Sequence, residues 1–282
     1  MGGTVGREKL NTVLRRVRNY AYKTLDPFDS LFLYINKMST YPPISLRRYV
    51  SNLGFIDGSG QEYYVYLRVL ASLNDSSRVL DIGCGCGLLE LAFEKNNWKG
   101  SLVGVDIYKP AIDWCVKSIS KRVPSFQFIH ADIYNPAYWR SGRYDVETWF
   151  RQFKESNFDF IVTKSLFTHM LPDEVCLYIA DISRRLRREG KALLTFFLLN
   201  EKQERLQLDR KSSIDFHRLK VDDVYSVRTS NAPTSAVAYD EIFIVDLLKS
   251  NGLEIVGDIH YGNWSGRVNG LSYQDMIVVE KR

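Results

Sequence analysis

Apolar and polar positions alternate in blocks along most of the chain. Five short apolar runs have the length of buried strands: SRVLDIG, SLVGVDI, FQFIHADI, FDFIVTKS and GKALLTFFLL. Longer segments beside them have apolar residues at helical spacing: LLELAFEKN, AIDWCVKSISKRV and DEVCLYIADISRRLRRE. This alternation predicts an α/β fold in which helices cover both faces of a largely parallel, doubly wound sheet.

The last part of the chain departs from this alternation. DEIFIVDLLKSNG predicts one more helix, and the two apolar runs after it, LEIVGDIHYG and SYQDMIVVEKR, lie too close together for a crossover helix. We therefore expect these two strands to pair antiparallel. Before that helix, residues 200–240 form a polar insertion, and long insertions of this kind are often functional lids.

Residues 1–60 have a different character and hold the excess positive charge. They carry nine Lys and Arg against four acids, whereas the other 222 residues are balanced. One helical stripe in this part is apolar, with the basic residues mostly off it: Leu10, Val13, Leu14, Val17 and Ala21. We expect an amphipathic helix packed on the main domain, although a basic face also suits a phosphorylated substrate, a lipid surface or RNA. Gly58 and Gly60 predict a loop, so we place a boundary between an appendage, 1–60, and a main domain, 61–282.

Composition narrows the class of protein. The chain is 45% hydrophobic and 25% charged, which is typical of a soluble globular protein. It has neither an apolar run of bilayer length nor the pattern of a secretory signal, so we expect a cytoplasmic protein. The C-x-C of Cys84 and Cys86 has no second ligand pair at zinc spacing, and we expect reduced cysteines and no metal site.

The stretch VLDIGCGCGLLELAF places three glycines at alternate positions directly after the first predicted strand. Gly83, Gly85 and Gly87 allow a sharp turn and a close approach of the backbone to a ligand. Ligands in such folds bind outside the carboxyl ends of the strands. Leu88 follows Gly87, so the spacing differs from the G-x-G-x-x-G of dinucleotide sites, and the G-K-[ST] of a P-loop is missing.

An aspartate closes each of the first three predicted strands. Asp106 can accept both hydroxyls of a ribose, Asp132 can accept from an adenine amino group, and Asp81 suits the ammonium of an amino-acid tail. Each residue alone is equally consistent with a cap or a turn. Three carboxylates at one edge predict a ligand with a ribose diol and a cationic part, and they disfavour a pyrophosphate.

VLDIGCGCG, LVGVDI, HADI, FDFIVTKSLFTHM and GKALLTFFLL together resemble the class I S-adenosylmethionine-dependent methyltransferases over about residues 78–282. The match to their D-x-G-x-G-x-G motif is complete. PPISLR, THMLPDE, TFFLLNE, AVAYDE, HYGNW and SYQD further resemble a bacterial subgroup, several members of which lie among genes for glycan or natural-product assembly. The resemblance implies a seven-stranded mixed sheet of order 3-2-1-4-5-7-6 with the last strand antiparallel, and S-adenosylmethionine as cofactor.

The same resemblance assigns residues to the cofactor. The glycine turn would face the methionine portion, Asp106 the ribose, and Asp132 with the Ile133 amide the adenine, while Lys164 and Ser165 would lie beside the reactive methyl group. The complete set of expected cofactor residues is Asp81, Gly83, Cys84, Gly85, Gly87, Asp106, Ile107, Asp132, Ile133, Lys164 and Ser165.

A methyl acceptor that is a hydroxyl needs a base, and the base should lie just past the fourth strand. His169 lies there, four residues after Ser165, where a helix would turn both toward one side. The other interpretation of His169 is a hydrogen-bonded helix residue beneath the cofactor site. His260 is a weaker candidate for the same role.

The acceptor itself is less well defined by the sequence. Expected substrate contacts are Arg47, Tyr239, Asp240, Tyr261 and Trp264, the last two of which can equally pack in the core. TKSL after the fourth strand, where enzymes that methylate amines of nucleic-acid bases have N-P-P-Y, disfavours nucleic acid. We expect O-methylation of a sugar, a glycan or another small metabolite. The alternatives are methylation of RNA or protein through the basic N-terminus, or a non-catalytic cofactor-binding subunit.

Overall fold

The computed structural model describes residues 21–38, 40–49, 58–136 and 138–282. The predicted apolar stripe from Leu10 to Val17 lies outside these ranges. The helices within them are α1 (21–35), α2 (Ile44–Arg47), α3 (Gly58–Val69), α4 (Leu88–Lys95), α5 (Lys109–Cys115), α6 (Val146–Gln152), α7 (Pro172–Arg185), α8 (Glu201–Leu208) and α9 (Glu241–Ser250). No described helix is long and apolar enough to cross a membrane.

The strands form one large sheet and one small sheet. They are β1 (Arg78–Ile82), β2 (Ser101–Asp106), β3 (Phe126–His130), β4 (Phe158–Thr163), β5 (Leu186–Phe196), β6 (Leu198–Leu199), β7 (Tyr225–Val227), β8 (Val237–Asp240), β9 (Leu253–Ile255) and β10 (Asp275–Lys281). The large sheet has the order β3-β2-β1-β4-β5-β10-β9, and β10 runs antiparallel to both of its neighbours. Because β9 and β10 are the sixth and seventh strands of this sheet, the predicted order and the antiparallel last strand are confirmed.

The register brings the carboxyl ends of the central strands to one edge. Ile82 of β1 lies opposite Val105 of β2, and Asp106 lies opposite His130 of β3. Side chains that alternate along a strand enter cores on opposite faces of the sheet, as Val79 and Leu80 do. The helices α6, α7 and α9 contribute to one core and α3 to α5 to the other, so the sheet is covered on both sides as predicted.

The predicted loop at Gly58 and Gly60 is wrong, because both residues lie in the first turn of α3. The reason is a close helix contact. A Cβ atom on Gly60 would lie 2.0 Å from the carbonyl oxygen of Leu88, the first residue of α4. Glycine at position 60 permits the close contact between α3 and α4. Gly60 therefore serves helix packing and not a turn.

The insertion at 200–240 is a folded unit. It contains α8, β7 and β8, and the last two pair with β6 in a three-stranded sheet of order β6-β8-β7. The buried carboxylate of Asp275 in β10 accepts from the backbone N–H groups of Leu198 in β6 and of Gly262, and from the Trp264 indole. The small sheet that the insertion shares with β6 is therefore joined to β10, while the role of the insertion as a lid stays a prediction.

Candidate active site

A cavity of about 320 Å³ lies at the carboxyl ends of β1 to β4. It is the place that the sequence predicted for a ligand. Nine of the predicted site residues line it: Asp81, Gly83, Cys84, Asp106, Ile107, Ile133, Lys164, Ser165 and His169.

The glycine turn forms one edge of this cavity. Gly83, Gly85 and Gly87 have φ angles of 87°, 57° and 77°, in the left-handed region that favours glycine. The N–H groups of Gly83 and Cys84 both donate to the carbonyl of Val105, which fastens the turn over the end of β2. A Cβ on Gly87 would lie 2.5 Å from the Cδ1 atom of Ile119. Conformation therefore favours glycine at all three positions, and space also requires it at Gly87.

Asp106 is held by the backbone on both of its oxygens. Gly85 N–H donates to Oδ2 at 2.9 Å and Tyr108 N–H donates to Oδ1 at 2.7 Å. Burial raises the pKa of this carboxyl, and the two N–H groups act in the opposite direction. Each carboxylate oxygen keeps further acceptor capacity, because it has more lone pairs than the single N–H uses. The arrangement fits a pair of ribose hydroxyls.

Asp81 and Glu90 form a buried carboxyl pair beneath the turn. Their residues are 2% and 0% exposed, and Asp81 Oδ1 and both oxygens of Glu90 find no hydrogen-bond partner in the described part of the chain. Burial raises the pKa of Asp81 to about 7, opposed by the charge of Lys164. Burial and the Asp81 charge also raise the pKa of Glu90. A hydrogen bond between the Asp81 and Glu90 carboxyl groups requires a proton on one of them. The Oδ1 atom of Asp81, which has no partner among the described residues, can accept a hydrogen bond from a ligand donor such as an ammonium.

Sequence reasoning missed Glu90, although a signal was present: it is a lone acid inside the apolar run LLELAF. The Glu90 side chain fits in the core because the neighbouring strand β2 has a glycine, Gly104, beside it. A Cβ on Gly104 would lie 3.0 Å from Glu90 Oε1, so any larger residue there would press on the carboxyl.

Lys164 and Ser165 leave β4 toward the cavity. The Lys164 ammonium lies 4.8 Å from the centre of the Tyr63 ring, and burial lowers its pKa. Ser165 has a φ of 54°, which is strained for a residue other than glycine. Its N–H donates to Thr195 Oγ1 and its hydroxyl donates to Gln274 Oε1 at 3.0 Å. These bonds to neighbouring strands hold the strained turn in place.

His169 lies in a short 3₁₀ turn, Phe167–His169, with its ring against the insertion. Its Nδ1 is 3.0 Å from the carbonyl oxygen of Thr234. A carbonyl can only accept, so Nδ1 carries the proton and Nε2 is the basic nitrogen. Burial, followed by the charge of Arg228, lowers the pKa of His169, while the Thr234 bond acts in the opposite direction. The imidazole is therefore neutral and basic at neutral pH.

The two residues predicted to contact adenine differ in their position relative to the cavity. Ile133 lines the cavity, whereas Asp132 does not. The Asp132 carboxylate accepts from the Trp139 indole at 3.0 Å and from Arg143 Nε at 2.5 Å, and the Arg143 bond lowers its pKa. Contact between Asp132 and adenine stays a prediction.

The predicted substrate contacts do not reach the cavity. Tyr239 and Trp264 are 0% and 1% exposed, and Tyr239 donates to the Met170 carbonyl and Trp264 to Asp275 within the core. Their contact with a substrate stays a prediction. The other three also have partners away from the cavity lining: Arg47 with Asp29, Asp240 with Arg218, and Tyr261 with Glu241.

Other residues that the sequence did not single out line the cavity instead. Tyr49 comes from the appendage and packs against Tyr108, with ring centres 4.4 Å apart. Gln274 precedes β10, and its amide donates to Thr168 Oγ1 at 3.3 Å. Glu174 lies in the first turn of α7, and burial raises its pKa. Little in the sequence indicates that Tyr49, Gln274 and Glu174 line the cavity, because no local pattern shows which distant segments meet at this edge of the sheet.

The four cysteines are free thiols, and three of them lie in or near the turn, whereas Cys176 lies in α7. Cys84, Cys86 and Cys115 are buried, and burial raises the pKa of each. Within the described ranges no group of three or more His, Cys, Asp and Glu residues is arranged to hold a metal ion. The three thiols near the turn pack in the hydrophobic core on the side of the sheet that α3 to α5 cover.

Comparison with known proteins adds independent support for the fold. PH0226 from Pyrococcus horikoshii OT3 superposes with a TM-score of 0.51 at 17% identity, over 88% of this chain and 98% of that one. A putative O-methyltransferase from Nostoc punctiforme PCC 73102 gives 0.52 at 14% identity, over 84% and 59%. The glycopeptide N-methyltransferase MtfA, complexed with sinefungin, gives 0.50 at 12% identity, over 79% and 93%.

At these identities the structural likeness concerns the fold, and the family rests on the sequence match. The family model described as a methyltransferase domain matches residues 64–231, which is more than half of the chain. The matched segment contains the glycine turn, Asp106 and His169. The chain belongs to the methyltransferase domain family and is a class I S-adenosylmethionine-dependent methyltransferase.

Proposed function

We propose that this enzyme methylates a hydroxyl group of a sugar, a glycan or another small metabolite, with His169 as the general base. The observation that carries the proposal is the orientation of the His169 ring. Thr234 holds the protonated Nδ1, so the basic Nε2 is the nitrogen left to take a proton in a cavity that His169 lines.

The cofactor end of the cavity, formed by the glycine turn with Asp81 and Asp106, has the groups that S-adenosylmethionine requires. Asp106 would hold the ribose diol, and Asp81, with its unpartnered Oδ1, would hold the ammonium of the methionine portion. Lys164 and Ser165 follow β4 at the same edge and would lie toward the reactive centre. When bound, the cofactor supplies a methyl group on a sulfonium, which is transferred by in-line displacement.

The chain's own contribution to that step is alignment and proton removal. A hydroxyl is a weak nucleophile until its proton leaves, and a placed base typically accelerates such a step roughly 10²- to 10⁴-fold. Burial of His169 favours the neutral form, which can accept the proton. The carbonyl of Thr234 then stabilises the imidazolium through the Nδ1–H bond.

The observations favour a small acceptor. Tyr49 from the appendage lines the cavity, and the insertion meets His169 through Thr234, so chain segments on two sides narrow the space for the acceptor. Five of the nine basic residues of the first part of the chain, on which RNA or protein methylation depends, lie outside the described ranges. The alternative of N-methylation has support from MtfA, described as a glycopeptide N-methyltransferase, whereas the Nostoc chain is described as an O-methyltransferase. The placed base favours oxygen, because a neutral amine needs no proton removed before attack.

A labelled-methyl screen tests the proposal. We expect transfer of label from S-adenosylmethionine to one or more hydroxylated metabolites or glycans, with much less transfer to matched amines, RNA or protein. Transfer to amines only would overturn O-methylation. Cofactor binding without transfer to any class would favour the non-catalytic subunit.

A further inference from the structure

Helix α1 presents its two acids and Leu33 to the protein and most of its other apolar side chains to solvent. Asp26 accepts from the backbone N–H and the hydroxyl of Ser45, at 3.0 and 2.7 Å. Asp29 accepts from the N–H of Ile44 and forms an ion pair with Arg47 at 2.6 Å. These four bonds fix α1 on α2 through its polar face. This is the reverse of a surface helix, which normally buries its apolar face.

The outward face of α1 is a continuous apolar stripe. Its members are exposed by 45% to 73% and recur at three- and four-residue spacing: Leu25, Phe28, Leu31, Phe32, Tyr34 and Ile35. We call this set the outer stripe. Scattered apolar residues are ordinary at protein surfaces, but contiguous stripes mark interaction sites. With its polar face already occupied, α1 has its apolar side available for a partner.

The charges around the outer stripe indicate the kind of partner. Between residues 21 and 38 the exposed charged side chains are Lys23 and Lys37, since Asp26 and Asp29 are partly buried in their bonds to α2. The first 20 residues of the sequence add five Lys and Arg against one acid. An apolar helix face flanked by cations matches the surface of an anionic bilayer, where rings and aliphatic groups enter the headgroup region and cations meet lipid phosphates. A second copy of this chain would bring like charges together.

We propose that the outer stripe of α1 docks the enzyme on anionic membrane surfaces. The helix would lie in the plane of the interface, and nothing would need to cross the bilayer. The docked helix is connected to the cavity wall through α2. Arg47 of α2 forms an ion pair with Asp29 of α1. Tyr49, which follows Arg47 by two residues, lines the cavity. The proposal does not depend on which acceptor is methylated.

Co-sedimentation with vesicles tests this surface. We expect the full chain to bind vesicles of phosphatidylglycerol and phosphatidylcholine, to bind pure phosphatidylcholine much less, and to be released by salt. Phe28→Ser with Phe32→Ser should lower the partition coefficient roughly tenfold or more, because two exposed rings no longer enter the interface. Val268→Ser is the matched control, since Val268 is 91% exposed elsewhere on the molecule, and it should bind like the wild type.

Folding is checked by thermal melting and S-adenosylhomocysteine binding, which should be unchanged in the variants. If the double variant melts early, Phe28→Ser alone, at a side chain that is 73% exposed, replaces it with a smaller expected loss. Failure of the wild type to bind anionic vesicles, or equal binding by wild type and stripe variants, would overturn the proposal. A dimer in sedimentation velocity that the stripe variants abolish would assign the stripe to a second copy instead.

Discussion

The cofactor end and the acceptor end of the cavity are built in different ways. At the cofactor end, Asp81, the glycine turn and Asp106 come from two adjacent parallel strands, and backbone N–H groups hold the turn on β2 and fix the Asp106 carboxylate. The end that we propose for the acceptor has Tyr49, Ser165, His169 and Gln274 in its lining, with the Thr234 carbonyl bonded to His169, and these residues come from segments far apart in the sequence. The geometry of the cofactor end depends on the sheet itself. The geometry of the acceptor end depends on contacts between segments that pack against the sheet. Substitutions at the two ends should therefore separate cofactor binding from turnover.

The largest expected effect is at the acceptor end. His169→Ala should lower kcat roughly 10²- to 10⁴-fold, because the proton of the acceptor hydroxyl has no placed base. The measurement is steady-state methyl transfer to the acceptor found in the screen. His260→Ala is the matched control, since His260 does not line the cavity, and it should leave kcat unchanged. Full activity of His169→Ala would reject His169 as the base.

The next effect is at the cofactor end. Asp106→Ala should weaken S-adenosylhomocysteine binding roughly 100-fold, because two hydrogen bonds from the ribose to a carboxylate are lost. Calorimetry measures the dissociation constant. Asp113→Ala removes a half-exposed aspartate of α5 that pairs with Lys109 and does not line the cavity, and this variant should bind normally. Unchanged affinity in Asp106→Ala would show that the ribose contact is misplaced.

The pH dependence of cofactor binding should be smaller and should depend on Asp81. The ligand ammonium favours ionised Asp81, whose pKa in the free enzyme is about 7. Affinity should therefore rise between pH 6 and pH 8 by roughly five- to tenfold and level off above that. Asp81→Asn should bind more weakly with a flat profile. A wild-type affinity that falls as pH rises would contradict the assignment.

The smallest effect concerns the support of the acceptor end. Gln274→Ala removes the bonds to Ser165 and Thr168 and should lower kcat about fivefold while leaving S-adenosylhomocysteine affinity unchanged. Gln127→Ala changes an exposed glutamine of β3 and should behave like the wild type. If Gln274→Ala weakened cofactor binding as much as turnover, the two ends would not be separable at this position.

The cofactor end could be predicted from the sequence because its parts are local. The alternation of strands and helices predicts the parallel sheet. Because the carboxyl ends of parallel strands meet at one edge, the sequence also predicts that the glycine turn and Asp106 lie together there. Gly60 shows where such reasoning stops, since its role depends on Leu88 in another helix.

The acceptor end could not be predicted in the same way. Tyr239 and Trp264 lie in polar segments and resemble surface aromatics, yet the small sheet and Asp275 bury them. At the cofactor end, the Asp132 carboxylate accepts from Trp139 and Arg143, two partners that no local pattern in the sequence indicates. Thr234 and Gln274 carry no local pattern, and only the folded chain brings them beside His169 and Ser165.

One calorimetric comparison tests the division of the cavity most directly. S-adenosylhomocysteine is titrated into the wild type, Asp106→Ala and His169→Ala under one condition. The account predicts saturable binding to the wild type, affinity within about twofold of it for His169→Ala, and a loss of roughly 100-fold for Asp106→Ala. Equal affinity of all three proteins, or a greater loss in His169→Ala than in Asp106→Ala, would contradict it.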